Sequence, residues 1–142
     1  MNYAVNVSGT RNLAQAAEKI GATLVYISTD YVFDGTKSDM YLETDAVNPK
    51  NEYGLAKYQG EQAVREIMSH YYIVRTSWVF GKYGNNFVFT MMKLAQTHDK
   101  LTVVNDQIGR STWTKTLAEF MGYAVEEKLA YGLYQLSNDE SG

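Results

Sequence analysis

The chain has 142 residues, 45% of them hydrophobic and 20% charged, a length and mix that suit one globular core and exclude collagen, a disordered tail and a disulfide scaffold. It has no cysteine, so a thiol nucleophile, Cys-ligated zinc and disulfides are excluded. Thirteen basic residues against sixteen acidic ones, a net charge of −3, fit a phosphate-backbone binder poorly, so no nucleic-acid partner is expected.

Helix and strand patterns alternate along the chain, which argues an α/β layer architecture in a single segment, 1–142. Residues 3–20 read as a helix, with Val5, Gly9, Leu13, Ala16 and Ile20 at helical spacing and Gly21 as the stop. Residues 23–29 (TLVYIST) form a β-rich run of strand length, apolar enough to be buried on both faces. A loop follows, punctuated by Asp34-Gly35 and by Asn48-Pro49. Residues 51–68 read as a second helix, with Ala56, Gly60, Ala63, Val64 and Ile67 as its buried stripe. Residues 72–79 (YIVRTSWV) read as a strand, and 86–98 as a helix capped by Asn85 or Asn86. LTVV at 101–104 reads as a short strand, 112–128 as a helix and 132–137 as a last strand. Strands joined by helical crossovers are parallel, and ligands of such sheets sit at the strands' carboxyl ends. Those ends carry Ser28, Thr29 and Asp30, then Thr76, Ser77 and Trp78, followed by polar loops longer than a connection requires.

One pair of side chains carries chemistry. Tyr53 and Lys57 are four residues apart on a predicted helix, so they lie about 40° apart around its axis. An ammonium beside a phenol favours the phenolate, so Lys57 is expected to lower the Tyr53 pKa and make it a usable general acid. The Thr29 hydroxyl can hold the oxygen that receives the proton. The trio suits protonation of a carbonyl while hydride attacks its carbon. With twelve tyrosines, Y-x-x-x-K alone also arises by chance on solvated helices. The Ser28-Thr29 strand end upstream supplies the context that the chemistry needs. His70 and His98 read as solvated helix ends without a metal-ligand partner, and no metal site is expected. Met91 and Met92 read as packing residues, and Glu126-Glu127 as a solvated helix end. The apolar runs are too short to cross a bilayer, so no membrane partner is expected.

Y-x-x-x-K with an upstream Ser/Thr resembles the extended short-chain dehydrogenase/reductases. Five stretches carry the likeness: NVSGT (6–10), LVYISTDYVFDG (24–35), NEYGLAKYQGE (51–61), RTSWVFG (75–81) and VVNDQIGRST (103–112). Their order is similar to the branch that reduces dTDP-linked 4-keto-sugars. The resemblance implies a partial Rossmann-like, doubly wound parallel sheet and a cytoplasmic enzyme. It implies NADPH or NADH as cofactor and dTDP-4-dehydro-L-rhamnose as substrate. Thr29 would bond the sugar's C4 oxygen, Tyr53 would give the proton, and Lys57 would bind the nicotinamide ribose and tune Tyr53. Asp30, Tyr31 and Trp78 would line the sugar pocket. Ile27 and Ser28 would lie against the nicotinamide. Asn6 would hold a water. The bland alternatives are core packing for Trp78, a turn cap for Asp30 and local backbone bonding for Asn6. Two other readings stand beside the reductase. One is a non-catalytic relative like the regulatory subunit of methionine adenosyltransferase. The other is a sugar-nucleotide epimerase or dehydratase.

The sequence departs from the family at two places. Ser111 stands where the family usually has proline. No G-x-G-x-x-G turn occurs, although the family's pyrophosphate site is built on one. The segment therefore reads as the catalytic middle of a longer NAD(P)-binding domain, without a complete cofactor site. An unpaired sheet edge is expected to favour a homodimer.

Overall fold

The computed structural model describes residues 2–103 and 109–138. In chain order, a π-type turn over Ala4–Gly9 runs into α1 (Thr10–Lys19), then β1 (Leu24–Thr29) and a 3-10 turn at Asp30–Val32. There follow α2 (Glu52–Ile67), β2 (Tyr71–Thr76), β3 (Val79–Phe80), α3 (Phe87–Ala95), β4 (Thr112–Trp113), α4 (Thr114–Glu126) and β5 (Gly132–Leu136). The three longer strands form one parallel sheet in the order β1–β2–β5. This is the expected α/β architecture, with helices as the crossovers between parallel strands. The register aligns Thr29 with Thr76, and Thr76 with Leu136, so the strands' carboxyl ends finish level.

β1 and β2 are apolar because α1 and α2 cover one face. Ala14 and Ala17 of α1, Tyr26 of β1, Val64 and Met68 at the end of α2, and Ile73 of β2 form the core. Ala56, Gly60, Ala63 and Val64 of α2 are buried, as their spacing predicts. β1 is less enclosed than expected: Ile27 is 40% exposed. Asn51 caps α2 by accepting from the Gly54 N–H at 2.7 Å, and Asn86 caps α3 by accepting from Phe89 N–H at 3.1 Å.

Four expectations need correction. The helically spaced residues Val5, Leu13 and Ile20 are exposed, and the inward face is Val7, Thr10, Ala14 and Ala17. Small side chains let α1 lie close against α2, and the larger ones are left outside. The run 72–79 is not one strand. It breaks after Thr76, and Trp78 takes a left-handed backbone conformation (φ 43°) before β3 starts. β3 then pairs in parallel with β4, in a separate two-stranded sheet. Residues 101–103 of the predicted LTVV strand are irregular, and Val104 lies outside the described residues. Met92 is 57% exposed on α3, which has no buried residue, so it does not pack as expected.

Candidate active site

Two elements deliver the chemistry. β1 ends at Thr29, and the chain turns at once through Asp30–Val32. The first turn of α2 packs directly on that turn. A Cβ on Gly54 would stand 2.1 Å from the Tyr31 carbonyl oxygen, so only glycine permits the approach. Tyr53, next to Gly54, is thereby brought beside Tyr31, ring edge to ring face at 6.2 Å between centroids. A cleft of about 390 Å³ opens there. Thr29, Asp30, Tyr31, Tyr53, Lys57 and Trp78 all line it, with Ile27, Ser28, Thr76 and Val79. Apart from Asn6, the residues given a site role from the sequence thus share one cavity at the carboxyl end of the sheet.

Their states differ from expectation in one respect. The Tyr53 phenol is pushed above the ordinary tyrosine value, first by burial, then by the Asp30 carboxylate and by Tyr31. Lys57 does not lower it. The ammonium lies instead over the ring of Tyr26, 4.1 Å from its centroid. Burial pulls the Lys57 pKa down, and the charge of Glu61 opposes that pull. The Tyr53 phenol is therefore a weaker acid than the spacing suggested. The Asp30 carboxyl is also pushed up by burial, with the Thr29 hydroxyl bond working against the rise.

Thr29 is buried, and its hydroxyl is engaged on both sides. It donates to Asp30 Oδ1 at 3.1 Å and accepts from the Tyr31 N–H at 3.3 Å. Asp30 is therefore both a turn residue and a cleft residue. Trp78 is 45% exposed on the cleft wall, so the core-packing alternative does not hold. Ser28 also lines the cleft, and its buried hydroxyl donates to the buried Glu61 at 2.5 Å. Asn6 follows its bland alternative, with Nδ2 donating to the Asn2 carbonyl and side chain.

Sequence reasoning passed over three residues beneath the cleft. Arg75 Nε and Nη2 grip the two Glu61 oxygens at 2.9 and 2.7 Å, both side chains buried. A signal existed: Arg75 is the one charge in an apolar strand, and Glu61 repeats the Tyr53–Lys57 spacing on α2. Tyr26 gave no signal, because only the packing of β1 under α2 sets it below Lys57. A second, smaller cavity of about 70 Å³ adjoins the cleft, lined by Asp30, Arg75, Thr76 and residues of β5 and its exit. Among the described residues, no cluster of metal-ligating side chains occurs, and no helix is long and apolar enough to cross a membrane.

The donors present fit the nicotinamide-ribose end of a dinucleotide. Neither the Tyr53 hydroxyl nor the Lys57 ammonium hydrogen-bonds another side chain among the described residues, and both line the open cleft.

The family model described as the RmlD substrate binding domain matches residues 1–142. A dTDP-4-dehydrorhamnose reductase of Aggregatibacter actinomycetemcomitans is 43% identical over 142 residues, covering 96% of this chain and 48% of that protein. Another of the same name, from Escherichia coli K12, is 41% identical over 136 residues, covering 93% and 46%. A crystal structure of dTDP-4-dehydrorhamnose reductase from Bacillus anthracis, in complex with NADP, superposes with a TM-score of 0.92 at 47% identity. It is matched over 96% of this chain and 48% of that one. The chain spans about half the length of the relatives it matches.

Proposed function

The chain belongs to the RmlD substrate binding domain family, and from that premise we propose that it is the catalytic part of an NAD(P)H-dependent reductase. The reaction proposed is reduction of dTDP-4-dehydro-L-rhamnose to dTDP-L-rhamnose. The observation that carries this reading is the convergence of Thr29, Tyr53 and Lys57 on one cleft walled by Asp30, Tyr31 and Trp78. The names of the half-matched relatives support the substrate. A non-catalytic binding subunit needs none of the three polar groups.

A bound dihydronicotinamide supplies the hydride to C4 of the keto-sugar. The chain's own residues do the rest. Lys57 holds the ribose hydroxyls with its ammonium. Thr29 turns its hydrogen from Asp30 to the C4 oxygen and fixes the carbonyl against Tyr53. The Tyr53 O–H bond breaks as the new alcohol O–H forms, and solvent restores the phenol. Burial keeps that proton in place until the oxygen becomes basic enough to take it. Tyr31 and Trp78 exclude water from the sugar's faces, and Ile27 backs the nicotinamide.

The test is an NAD(P)H oxidation assay with the keto-sugar on the full-length reductase proposed here. Tyr53→Phe is expected to lower kcat about 100-fold or more while leaving substrate binding near normal. An unchanged rate in that variant would falsify the assignment of the proton donor.

A further inference from the structure

Lys57 carries a flexible four-carbon stem, and its proposed role requires the ammonium at one place. The nearest carboxylate on its own helix is Glu61, one turn on. That carboxylate is already taken: Arg75 holds both oxygens and Ser28 donates to one. Something other than an ion pair must therefore hold the lysine.

The ring of Tyr26 is there. The Lys57 Nζ stands over its face at 4.1 Å from the centroid. Tyr26 and Ser28 are two apart on β1, so both side chains point to the α2 side. The Tyr26 ring cannot turn freely. Its hydroxyl donates to the Lys57 carbonyl oxygen at 3.2 Å. It also sits in a notch that exists because residue 60 is glycine: a Cβ there would lie 2.1 Å from that hydroxyl and 2.5 Å from the Asn6 carbonyl oxygen. The side chain is buried, with the α1 residues Ala14 and Ala17 in the same core cluster.

We propose that Tyr26 is the positioning residue of this site, a fixed aromatic platform that holds the Lys57 ammonium by its π face. This rests on the catalytic reading of Lys57 given above. The choice of a ring over a carboxylate has a chemical reason. A carboxylate takes N–H donors one by one. A ring attracts the charge as a whole and leaves the outward N–H groups for hydroxyl ligands. Arg75 and Ser28 occupy the oxygens of the competing Glu61 carboxylate.

The test is solution NMR of the 142-residue chain, reading the ε-methylene resonance of Lys57, assigned by its loss in Lys57→Arg. The ring current is expected to move it upfield of the solvated lysines in the wild type and in Tyr26→Phe. In Tyr26→Leu, with the amide spectrum confirming the fold, it is expected to return to the solvated position. A wild-type resonance at the solvated position overturns the proposal, and needs no folded variant. So does a resonance unmoved by Tyr26→Leu. In the full-length reductase, Tyr26→Leu is expected to raise the dinucleotide KM about tenfold, with Tyr26→Phe restoring it. If the NMR shift is present and Tyr53→Phe leaves turnover intact, the platform stands and the catalytic reading falls.

Discussion

Glu61 and Arg75 form a bidentate ion pair between α2 and β2, and both side chains are buried. Buried pairs of this kind add little net stability, yet they are costly to break from one side. Arg75→Met alone is expected to destabilise the chain by about 3–5 kcal/mol, because it strands the Glu61 carboxylate. The double variant Arg75→Met with Glu61→Leu is expected to regain most of that loss. Urea titrations of the three proteins decide it. Equal losses in the single and double variants would show that the pair's charge is not what matters.

The approach of α2 to the turn after β1 gives a second prediction. Gly54→Ala places a methyl group against the Tyr31 main chain, a wall that cannot move aside as a side chain can. A loss of about 1–3 kcal/mol is expected, in the range of overpacked sites. Gly122 on α4 is the control, because a Cβ there meets nothing within 4 Å. Gly122→Ala is expected to stabilise by up to about 1 kcal/mol through helix propensity. Thermal denaturation of both variants tests the contrast.

The electrostatics of Tyr53 set a third. The Asp30 carboxylate contributes to the raised phenol pKa. Asp30→Asn removes that negative charge, so the phenolate becomes easier to form and the Tyr53 titration shifts to lower pH. Difference absorbance of the phenolate, with Tyr53→Phe as the blank, measures the shift. A midpoint that rises or stays put contradicts the charge arrangement described here.

Acid stability follows from three other carboxylates. Asp34 accepts from the Thr36 N–H and hydroxyl, the Tyr41 hydroxyl and the Asn48 amide, and its pKa is lowered by those bonds. Asp45 is lowered mainly by Lys37 and the Leu42 N–H, and Glu18 by Ser69. In the unfolded chain such groups titrate near about 4. Their folded pKa values lie lower, so the stability they add is fully present above the unfolded value and is lost as pH falls through the folded ones. Urea midpoints should therefore drop as pH falls below about 4. Asp34→Asn should flatten part of that drop.

Dinucleotide binding gives the fifth. The cleft offers groups for a nicotinamide ribose, but the sequence has no glycine-rich turn for the pyrophosphate. The 142-residue chain is expected to bind NADPH or NADH more weakly than micromolar by calorimetry. Micromolar affinity would sink the reading of this chain as only the nicotinamide-facing part of a cofactor site.

Local pattern was enough for some of this molecule and not for the rest. β1, α2 and the Tyr53–Lys57 pair were legible because strand length, helical spacing and a strand-end Ser-Thr are local features. The inward face of α1 was not. Alanine and threonine face inward because a neighbouring helix comes close, and ranking side chains by size points to Leu13 and Ile20 instead. The break at Trp78 was hidden by the apolar run that continues through it. β3 exists only because Thr112 and Trp113 pair with Val79 and Phe80 from far along the chain. The direction of the Tyr53 pKa is not legible in spacing either, because burial and the Asp30 carboxylate, both products of the tertiary fold, raise it.

The left-handed residue Trp78 divides the walls of the cleft between two sheets. It hands the chain from the main sheet to the small β3–β4 ribbon, so the two banks of the cleft have different foundations. Tyr53 and Lys57 stand on α2, anchored over the core. Trp78 and Val79 stand at the head of a ribbon two residues long, tied back by the Thr112 N–H to the Trp78 carbonyl and by the Ser77 hydroxyl to the Arg110 carbonyl. The Tyr53–Lys57 wall thus rests on a long helix packed over the core, and the Trp78 wall on a two-residue ribbon outside the main sheet.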